Sequence, residues 1–410
     1  MKILLITHLV PYPPKRGVMI RNFNLLKQIA RDHQVDMLTF NQAPHFGTPE
    51  ELQQSIEVLR PLCRRLEVFR IPTDSSKLRW YLMLLLNVFS PVPYSIWRFS
   101  SRKMEAAIRE RLKSESYDVM EIGTIALARY ARLAPDLPKI LVHHNIESQL
   151  LYRRSQAMSN WFSKIYLRYQ AWKLRRFERE FGELFDRHTV CSEQDQDSLK
   201  AICPEAQVVV VPNGVDTEFF RPSGALIKPD TLVHAGGTNW FPNRDGLLYF
   251  MKEIWPIVKQ KVPHLEFVGI GKQVDPELAA FSEKDRTFRQ VGFVDDIRTY
   301  VAEAAVYVVP LRVGGGTRLK ILEAMAMGKA IVSTSIGAEG IKCVHGQDIM
   351  LADTPQDFAD RIVELLDDEA KRGELGKNAR NRAVSTYSWK LIAPILERTY
   401  QDAVKGRKRD

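Results

Sequence analysis

The sequence predicts an α/β protein made of two Rossmann-like sheets in tandem. Three observations carry this. Short β-rich runs alternate with stretches of helical character. Two such series follow one another. Breaker residues, Pro212-Asn-Gly-Val-Asp216 and Arg221-Pro-Ser-Gly224, stand between them as a hinge. A length of 410 residues fits two domains. The boundaries read as 1–212, 213–385 and a helical, basic tail over 386–410.

The first series has β-rich runs at 2–10, 35–40, 66–71, 117–122, 139–144, 188–191 and 208–212, with helical segments at 18–31 and 49–60. The second has runs at 231–236, 265–271, 288–292, 306–309, 330–334 and 348–351. Strand–helix repetition of this kind predicts parallel sheets covered on both faces. The tail has Tyr387 and Trp389 as anchors and ends in Lys405-Gly-Arg-Lys-Arg409, whose last residues are expected to be disordered. The opening run Ile3-Leu-Leu-Ile-Thr7 stops at Pro11-Tyr12-Pro13-Pro14, with no small-residue cleavage site, and reads as a first strand.

Hydrophobic content of 45% is that of a soluble globular protein. Cys63, Cys191, Cys203 and Cys343 are scattered, which argues against a disulfide scaffold or a zinc site and fits a reducing cytosol. The net charge is +10. Residues 1–210 hold 31 Lys/Arg and 22 Asp/Glu, so nearly all the excess lies in the first half. An anionic membrane surface or nucleic acid is the usual partner of such a patch.

Two segments of the first half break the alternation. In 77–99 the apolar run Trp80–Leu86 is far too short for a bilayer span, which needs about 20 residues. Residues 151–185 read as one long helix, with Met158, Phe162, Ile165, Tyr169 and Trp172 at helical spacing and eight Lys/Arg between Arg153 and Arg179. Two readings stand: an interfacial membrane helix, or a core-packed helix with a solvated cationic face.

The chemistry concentrates in 306–328. Tyr307-Val-Val-Pro310 reads as a strand end, Gly314-Gly315-Gly316 as a tight turn and Thr317 as the N-cap of a helix carrying Arg318, Lys320 and Glu323. A helix N-terminus beside two cations suits a phosphate or diphosphate, and a carboxylate can accept two ribose hydroxyls. The competing reading is a surface Lys320/Glu323 pair worth about 0.3 kcal/mol.

Other strand-end loops are candidates for the same reason. The first runs His8–Gly17 with Lys15 and Arg16; a second is Trp240-Phe-Pro-Asn243-Arg244-Asp245; a third is Val291-Gly292-Phe293-Val294-Asp295-Asp296, where Asp296 also suits a helix cap. His143-His144-Asn145-x-Glu147 lacks metal-ligand spacing, so one histidine is read as a polar contact or proton handler, against a hydrogen-bonded structural histidine. There is no G-x-G-x-x-G after the first strand and no G-x-x-x-x-G-K-[ST], which disfavours a nicotinamide dehydrogenase and a P-loop ATPase. No D-x-D stands at a strand end, so no metal is assigned.

Taken in order, these motifs resemble those of the GT-B fold, retaining family-four glycosyltransferases (glycosyl transferases group 1). The resemblance covers nearly the whole chain: the loop ending at Gly17, His144-Asn145-x-Glu147, the hinge, Trp240-x-Pro-Asn243-x-Asp245, Val291-Gly292-Phe293-Val294-x-Asp296, the stretch Gly314 to Gly328, and Tyr387-Ser-Trp389. It implies two domains facing across a cleft, with a C-terminal helix returning to the first. It also implies Arg318 and Lys320 on the donor diphosphate, Glu323 on the ribose and His144 near the donor sugar. Gly17, Asn243, Gly292, Phe293, Gly315, Gly316 and Thr317 complete the donor site. The family's Glu-x(7)-Glu hallmark is half present: Glu323 matches the second glutamate, and the first falls at Gly315.

The resemblance implies sugar transfer from a nucleotide-sugar, itself a substrate, to a saccharide or lipid-linked saccharide, with retention and with neither metal nor cofactor. Surface or exopolysaccharide assembly at the cytoplasmic face of the membrane is the expected setting, with no nucleic acid as partner. A sugar-nucleotide epimerase and a non-catalytic binding protein of the same fold are the competing classes.

Overall fold

The computed structural model describes all residues except 43–47, 157, 159, 273, 315–316 and 408–410, and the side chains of 75 and 77. The chain divides into two compact units. The first comprises Met1–Pro212 and the chain from Ala393 onward; the second is Asn213–Ile392.

Unit 1 holds seven strands: β1 (Lys2–Thr7), β2 (Gln34–Asn41), β3 (Arg65–Arg70), β4 (Val119–Ile122), β5 (Lys139–Val142), β6 (Arg187–Val190) and β7 (Val208–Val210). They pair in the order β3-β2-β1-β4-β5-β6-β7, all parallel. Unit 2 holds β8 (Lys228–Ala235), β9 (Glu266–Ile270), β10 (Phe288–Gly292), β11 (Ala304–Val309), β12 (Ala330–Ser333) and β13 (Met350–Leu351). Their order, β10-β9-β8-β11-β12-β13, repeats the first unit's scheme. Each sheet is wound outward in both directions from its first strand, as in dinucleotide-binding folds. Parallel strands covered on both faces need apolar side chains in both directions. β11, Ala-Ala-Val-Tyr-Val-Val, and β4 are accordingly buried at every position.

Eight helices matter below: α1 (Gly17–Ile29), α2 (Lys77–Asn87), α3 (Glu147–Gln156), α4 (Trp161–Gly182), α5 (Phe241–Tyr249), α6 (Leu319–Ala326), α7 (Glu369–Thr386) and α8 (Trp389–Arg407). The single helix expected over 151–185 is two helices, α3 and α4. The break has a local cause: Asn160 leaves the helix and accepts the Ser163 amide at 3.0 Å, capping α4 afresh. Helix α6 also starts later than the sequence suggests. Its cap position is Arg318, with no side-chain cap bond, and the Thr317 hydroxyl is buried without a hydrogen-bond partner, so Thr317 is not the N-cap.

Both terminal anchors are buried. The Tyr387 hydroxyl accepts the Lys342 amide at 2.6 Å, and its carbonyl accepts the Val215 amide at 2.7 Å. A Cβ on Gly214 would sit 2.8 Å from Trp389, so the hinge glycine exists to let that ring in. From Ala393 on, α8 belongs to unit 1. There the Tyr400 hydroxyl donates to buried Glu121, and Arg407 pairs with Asp186 at 2.7 Å. The residues of the expected disordered end that follow Arg407 lie outside the described ones.

Unit 2 is centred on an aromatic cluster in which Phe267 and Phe288 stack at 4.4 Å, flanked by Phe250 and Trp255. Phe267→Ala leaves a ring-sized cavity among side chains already in contact. It is expected to cost about 3–5 kcal/mol, read as a lowered denaturation midpoint of the Trp255 environment; a loss within about 0.5 kcal/mol, the range of a surface substitution, would show that this cluster is not the core.

Candidate active site

In a doubly wound sheet the loops diverge where the strand order reverses, leaving a crevice at the carboxyl ends of the strands. In unit 2 that point lies between β8 and β11. Lys320, in the first turn of α6, reaches back to it. Its ammonium donates to Asn243 Oδ1 of α5 at 2.7 Å and stands 3.5 Å from His234 Nε2 of β8. The His234 Nδ1–H donates to the Val308 carbonyl at 2.8 Å, which leaves the Nε2 lone pair facing the lysine. Asn243 Nδ2 donates to the Gly237 carbonyl at 3.0 Å, fixing the amide so that its oxygen meets the cation.

This packing is possible only because Gly236 follows the strand. A Cβ there would sit 2.5 Å from Lys320 Nζ and 2.7 Å from Asn243 Nδ2. The crowding continues along the sheet edge. A Cβ on Gly271 would lie 2.4 Å from the Gly237 backbone, and the Gly271 amide donates to the Gly292 carbonyl at 2.8 Å. The bare backbone thus extends from Lys320 to Gly292, whose φ is 75° and beside which Phe293 is exposed.

Electrostatics follow from burial. Lys320 is pushed down to about 7, by burial first and then by the Arg318 cation. Glu323, one turn further along α6, is pushed up to about 7 by burial, against the pull of Lys320. His234 is held well below its ordinary range by burial and Lys320, so it is neutral. The Lys320/Glu323 pair is therefore not a solvated surface pair. Arg318 lies against the loop before α6, where Gly314 has φ 144° and a Cβ would sit 2.1 Å from Arg318 Nη2. Gly315 and Gly316 lie outside the described residues.

The stretch Trp240–Asp245, expected as a strand-end loop, is the cap position and first turn of α5, and its two charged residues have structural partners. Arg244 Nε bonds Asp275 at 2.6 Å, and Asp275 caps the following helix. Asp245 accepts two bonds from Arg312, at 2.8 and 3.1 Å. Asp296 is not the cap of the next helix, whose cap position is Ile297; it accepts the Arg298 amide at 2.9 Å and pairs with the Arg298 guanidinium at 2.6 Å.

In unit 1 the corresponding reversal lies between β1 and β4. Gly17 opens α1 there, and Gly123 follows β4. His143 and His144 separate cleanly. His143 Nε2 bonds His188 Nδ1 at 3.1 Å, and His188 Nε2 donates to the Gly182 carbonyl at 3.0 Å; that pair is structural. His144 lies 6.0 Å from the His8 ring and has a buried Nε2 without a hydrogen-bond partner. Burial, then Arg21 and His8, hold it well below its ordinary range, so it is neutral near pH 7. Glu147 is raised by burial and accepts the Thr124 hydroxyl at 2.5 Å.

The Lys320/Glu323 pair makes stability depend on pH with a definite sign. Lys320 titrates below its ordinary 10.5, so between about 7 and 10.5 the unfolded chain binds more protons and stability rises with pH. Glu323 titrates above its ordinary 4.5, so between 4.5 and about 7 the native state binds more protons and stability falls as pH rises. Lys320→Met should flatten the alkaline rise in the urea midpoint and Glu323→Gln the acid fall. Midpoints that track the wild type in both limbs would assign the titrations elsewhere.

With the fold and site described, the chain can be set beside known proteins. Residues 15–219 match the Glycosyltransferase Family 4 model and residues 229–368 match Glycosyl transferases group 1. An uncharacterized 44.6 kDa protein in the cps region of Klebsiella pneumoniae is 22% identical over 62% of this chain and 66% of its own length. The MMP alpha-(1->4)-mannosyltransferase of Mycolicibacterium hassiacum is 30% identical over 56% of each chain. The chain thus spans about half to two thirds of these curated relatives. Sucrose-phosphate synthase from Thermosynechococcus elongatus superposes with a TM-score of 0.71 at 18% identity, covering 99% of this chain and 100% of that one. The Anabaena protein HepE in complex with UDP does so with a TM-score of 0.65 at 16% identity, covering 98% and 100%. These likenesses give the GT-B fold, and with both family models spanning the two units the chain belongs to the family-four, group 1 glycosyltransferases.

Proposed function

We propose that this glycosyltransferase moves a hexose from a nucleotide-sugar to a saccharide or lipid-linked saccharide, with retention, in the assembly of a cell-surface or exopolysaccharide at the cytoplasmic face of the membrane. The observation that carries the donor half is the Lys320–Asn243–His234 cluster at the reversal point of unit 2, with Glu323 one turn along the same helix. The mannosyltransferase likeness and the UDP held by a protein of the same fold support the donor class. The cps-region relative supports the setting.

In this reading Lys320 and Arg318 face the diphosphate and Glu323 accepts the ribose hydroxyls. The exposed backbone at Gly292 and the Phe293 ring take the base. Thr317 lies along the phosphate path, and Asn243 orients Lys320. In unit 1, Gly17 opens α1 at the reversal point, and the neutral His144 offers an imidazole nitrogen to a sugar hydroxyl.

The bond from the anomeric carbon to the β-phosphate oxygen breaks, and its electron pair leaves with the diphosphate. Fixed cations stabilise that charge, the kind of preorganised contribution that is often the largest in catalysis. The acceptor oxygen bonds to the same face of the anomeric carbon, and its proton passes to the departing phosphate oxygen. The proposal uses no enzymatic nucleophile, metal or cofactor.

A thermal-shift screen of UDP-, GDP- and ADP-sugars should raise the melting temperature with one nucleotide class. Lys320→Met and Glu323→Gln should each lose that shift and lower transfer by about 100-fold or more, with the fold retained. Wild-type shift and turnover in both variants would overturn the assignment.

A further inference from the structure

Helix α2 carries its apolar stripe on the outside. Leu78, Tyr81, Leu82, Leu85 and Leu86 recur at helical spacing and are each at least half exposed, and Phe89 just beyond is 87% exposed. Its inward positions are Met83 and Asn87. A helix of a soluble domain normally turns such a stripe to the core. Helix α4 presents a second one: Trp161, Phe162, Ile165 and Trp172 are between 57% and 64% exposed.

The two stripes are fastened into one surface by a buried polar joint. The Lys173 ammonium of α4 donates to the Asn87 carbonyl at 2.8 Å, to Asn87 Oδ1 at 2.9 Å and to the Ser90 carbonyl at 3.0 Å. Gln170 Nε2 also donates to Asn87 Oδ1 at 3.0 Å, and the Tyr169 hydroxyl donates to the Val88 carbonyl at 3.1 Å. The C-terminal end of α2 is thereby held against the middle of α4, next to the exposed aromatic rings. Three helix-end acceptors satisfy the buried cation, which is the condition for burying it at all.

The charge carried by these segments has one sign, although Arg98 is paired with Asp74 at 2.7 Å and Lys173 is buried in the joint. Residues 77–99 and 148–177 together hold ten Lys/Arg and no Asp or Glu. Lys164 and Arg168 are exposed beside Ile165 on α4. A second copy of the chain would bring the same positive charge to the same patch. A polyanion without apolar depth would leave the leucines and Phe89 in water. A surface that offers both negative charge and an apolar interior is an anionic bilayer. Among the described residues no helix is long and apolar enough to cross a membrane, so the contact is with the interface.

We infer that the joined outer faces of α2 and α4 are a docking surface for an anionic lipid bilayer, with Phe89, Leu85, Trp161 and Trp172 entering the headgroup boundary and Lys164 and Arg168 meeting lipid phosphates. The inference adds to the proposed lipid-linked acceptor the surface that meets the membrane holding it. It does not depend on donor binding.

The test is flotation of the full chain with vesicles of phosphatidylcholine, and of phosphatidylcholine doped with phosphatidylglycerol, without nucleotide. Wild type should float with the doped vesicles and shift its tryptophan emission to the blue; added salt should weaken the contact. Leu85→Asp with Phe89→Asp should weaken binding by about tenfold or more. Lys164→Glu with Arg168→Glu should abolish the preference for phosphatidylglycerol. All substituted side chains are exposed, and an unchanged melting temperature checks the fold. Absence of flotation by wild type, or equal flotation by wild type and both variants, would overturn the proposal. So would a vesicle-free dimer that the Leu85/Phe89 variant dissolves, since a second copy would then own the face. Loss of the nucleotide-sugar shift with flotation intact would instead strike the donor assignment alone.

Discussion

Placing the Lys320 ammonium among backbone and buried side chains at the edge of a parallel sheet is the constraint around which unit 2 is arranged. A buried cation needs acceptors on every side it offers. Asn243 gives one, and is itself turned the right way by the Gly237 carbonyl. His234 faces it with a lone pair only because its other nitrogen donates to Val308. The strand must end in Gly236, since any side chain there would occupy the place of the ammonium. One charge thus fixes a strand end, a tautomer and an amide orientation.

The two units share a strand order but place their charged groups differently. Unit 2 draws its functional charges inward, to the point where its strand order reverses. Unit 1 buries neutral imidazoles, with His143, His144 and His188 all held below their ordinary range by burial, and it also buries the Arg21 cation of α1 near His144. Others of its cations lie outward, with Lys164 and Arg168 exposed beside the apolar stripe of α4. The buried cation of α4, Lys173, serves the joint between two helices. A net charge summed over the chain hides this division.

Much of the fold was legible in the sequence because strand–helix alternation is written in local apolar runs, and both series of strands occur near the positions expected. What depends on one residue's choice of partner was not legible. Asn160 could cap or continue a helix, and only its bond to Ser163 shows that the 151–185 stretch is split. Thr317 is a good capping residue by type, yet its hydroxyl is buried elsewhere. Of the site, Arg318, Lys320, Glu323 and Asn243 stood out because charged and amide side chains after strands are conspicuous. His234 and Gly236 were passed over, although Val-His-Ala-Gly-Gly at a strand end was the available signal: glycines there mark a close approach, and an interior strand histidine needs a partner. The partners of Arg244 and Asp245 are 31 and 67 residues distant, a separation that no local pattern records.

Burial displaces Lys320 downward and Glu323 upward, and the two charges act on each other. The form with both groups charged and the form with both neutral hold the same number of protons. They differ in which member of the pair carries one. Each charge favours the other, since the lysine's cation lowers the glutamate and the carboxylate raises the lysine. In the proposed function a diphosphate near Lys320 favours the ammonium, and the ammonium favours the carboxylate. The carboxylate, not the acid, is the form that accepts two hydroxyl hydrogen bonds. In that function the phosphate end of a nucleotide would favour the charged form of the residue that meets its ribose end, one turn along α6. A single-turn spacing of cation and carboxylate on a partly buried helix face would couple the two ends of the ligand more strongly than a fully solvated pair at the same spacing, because less water screens each from the other.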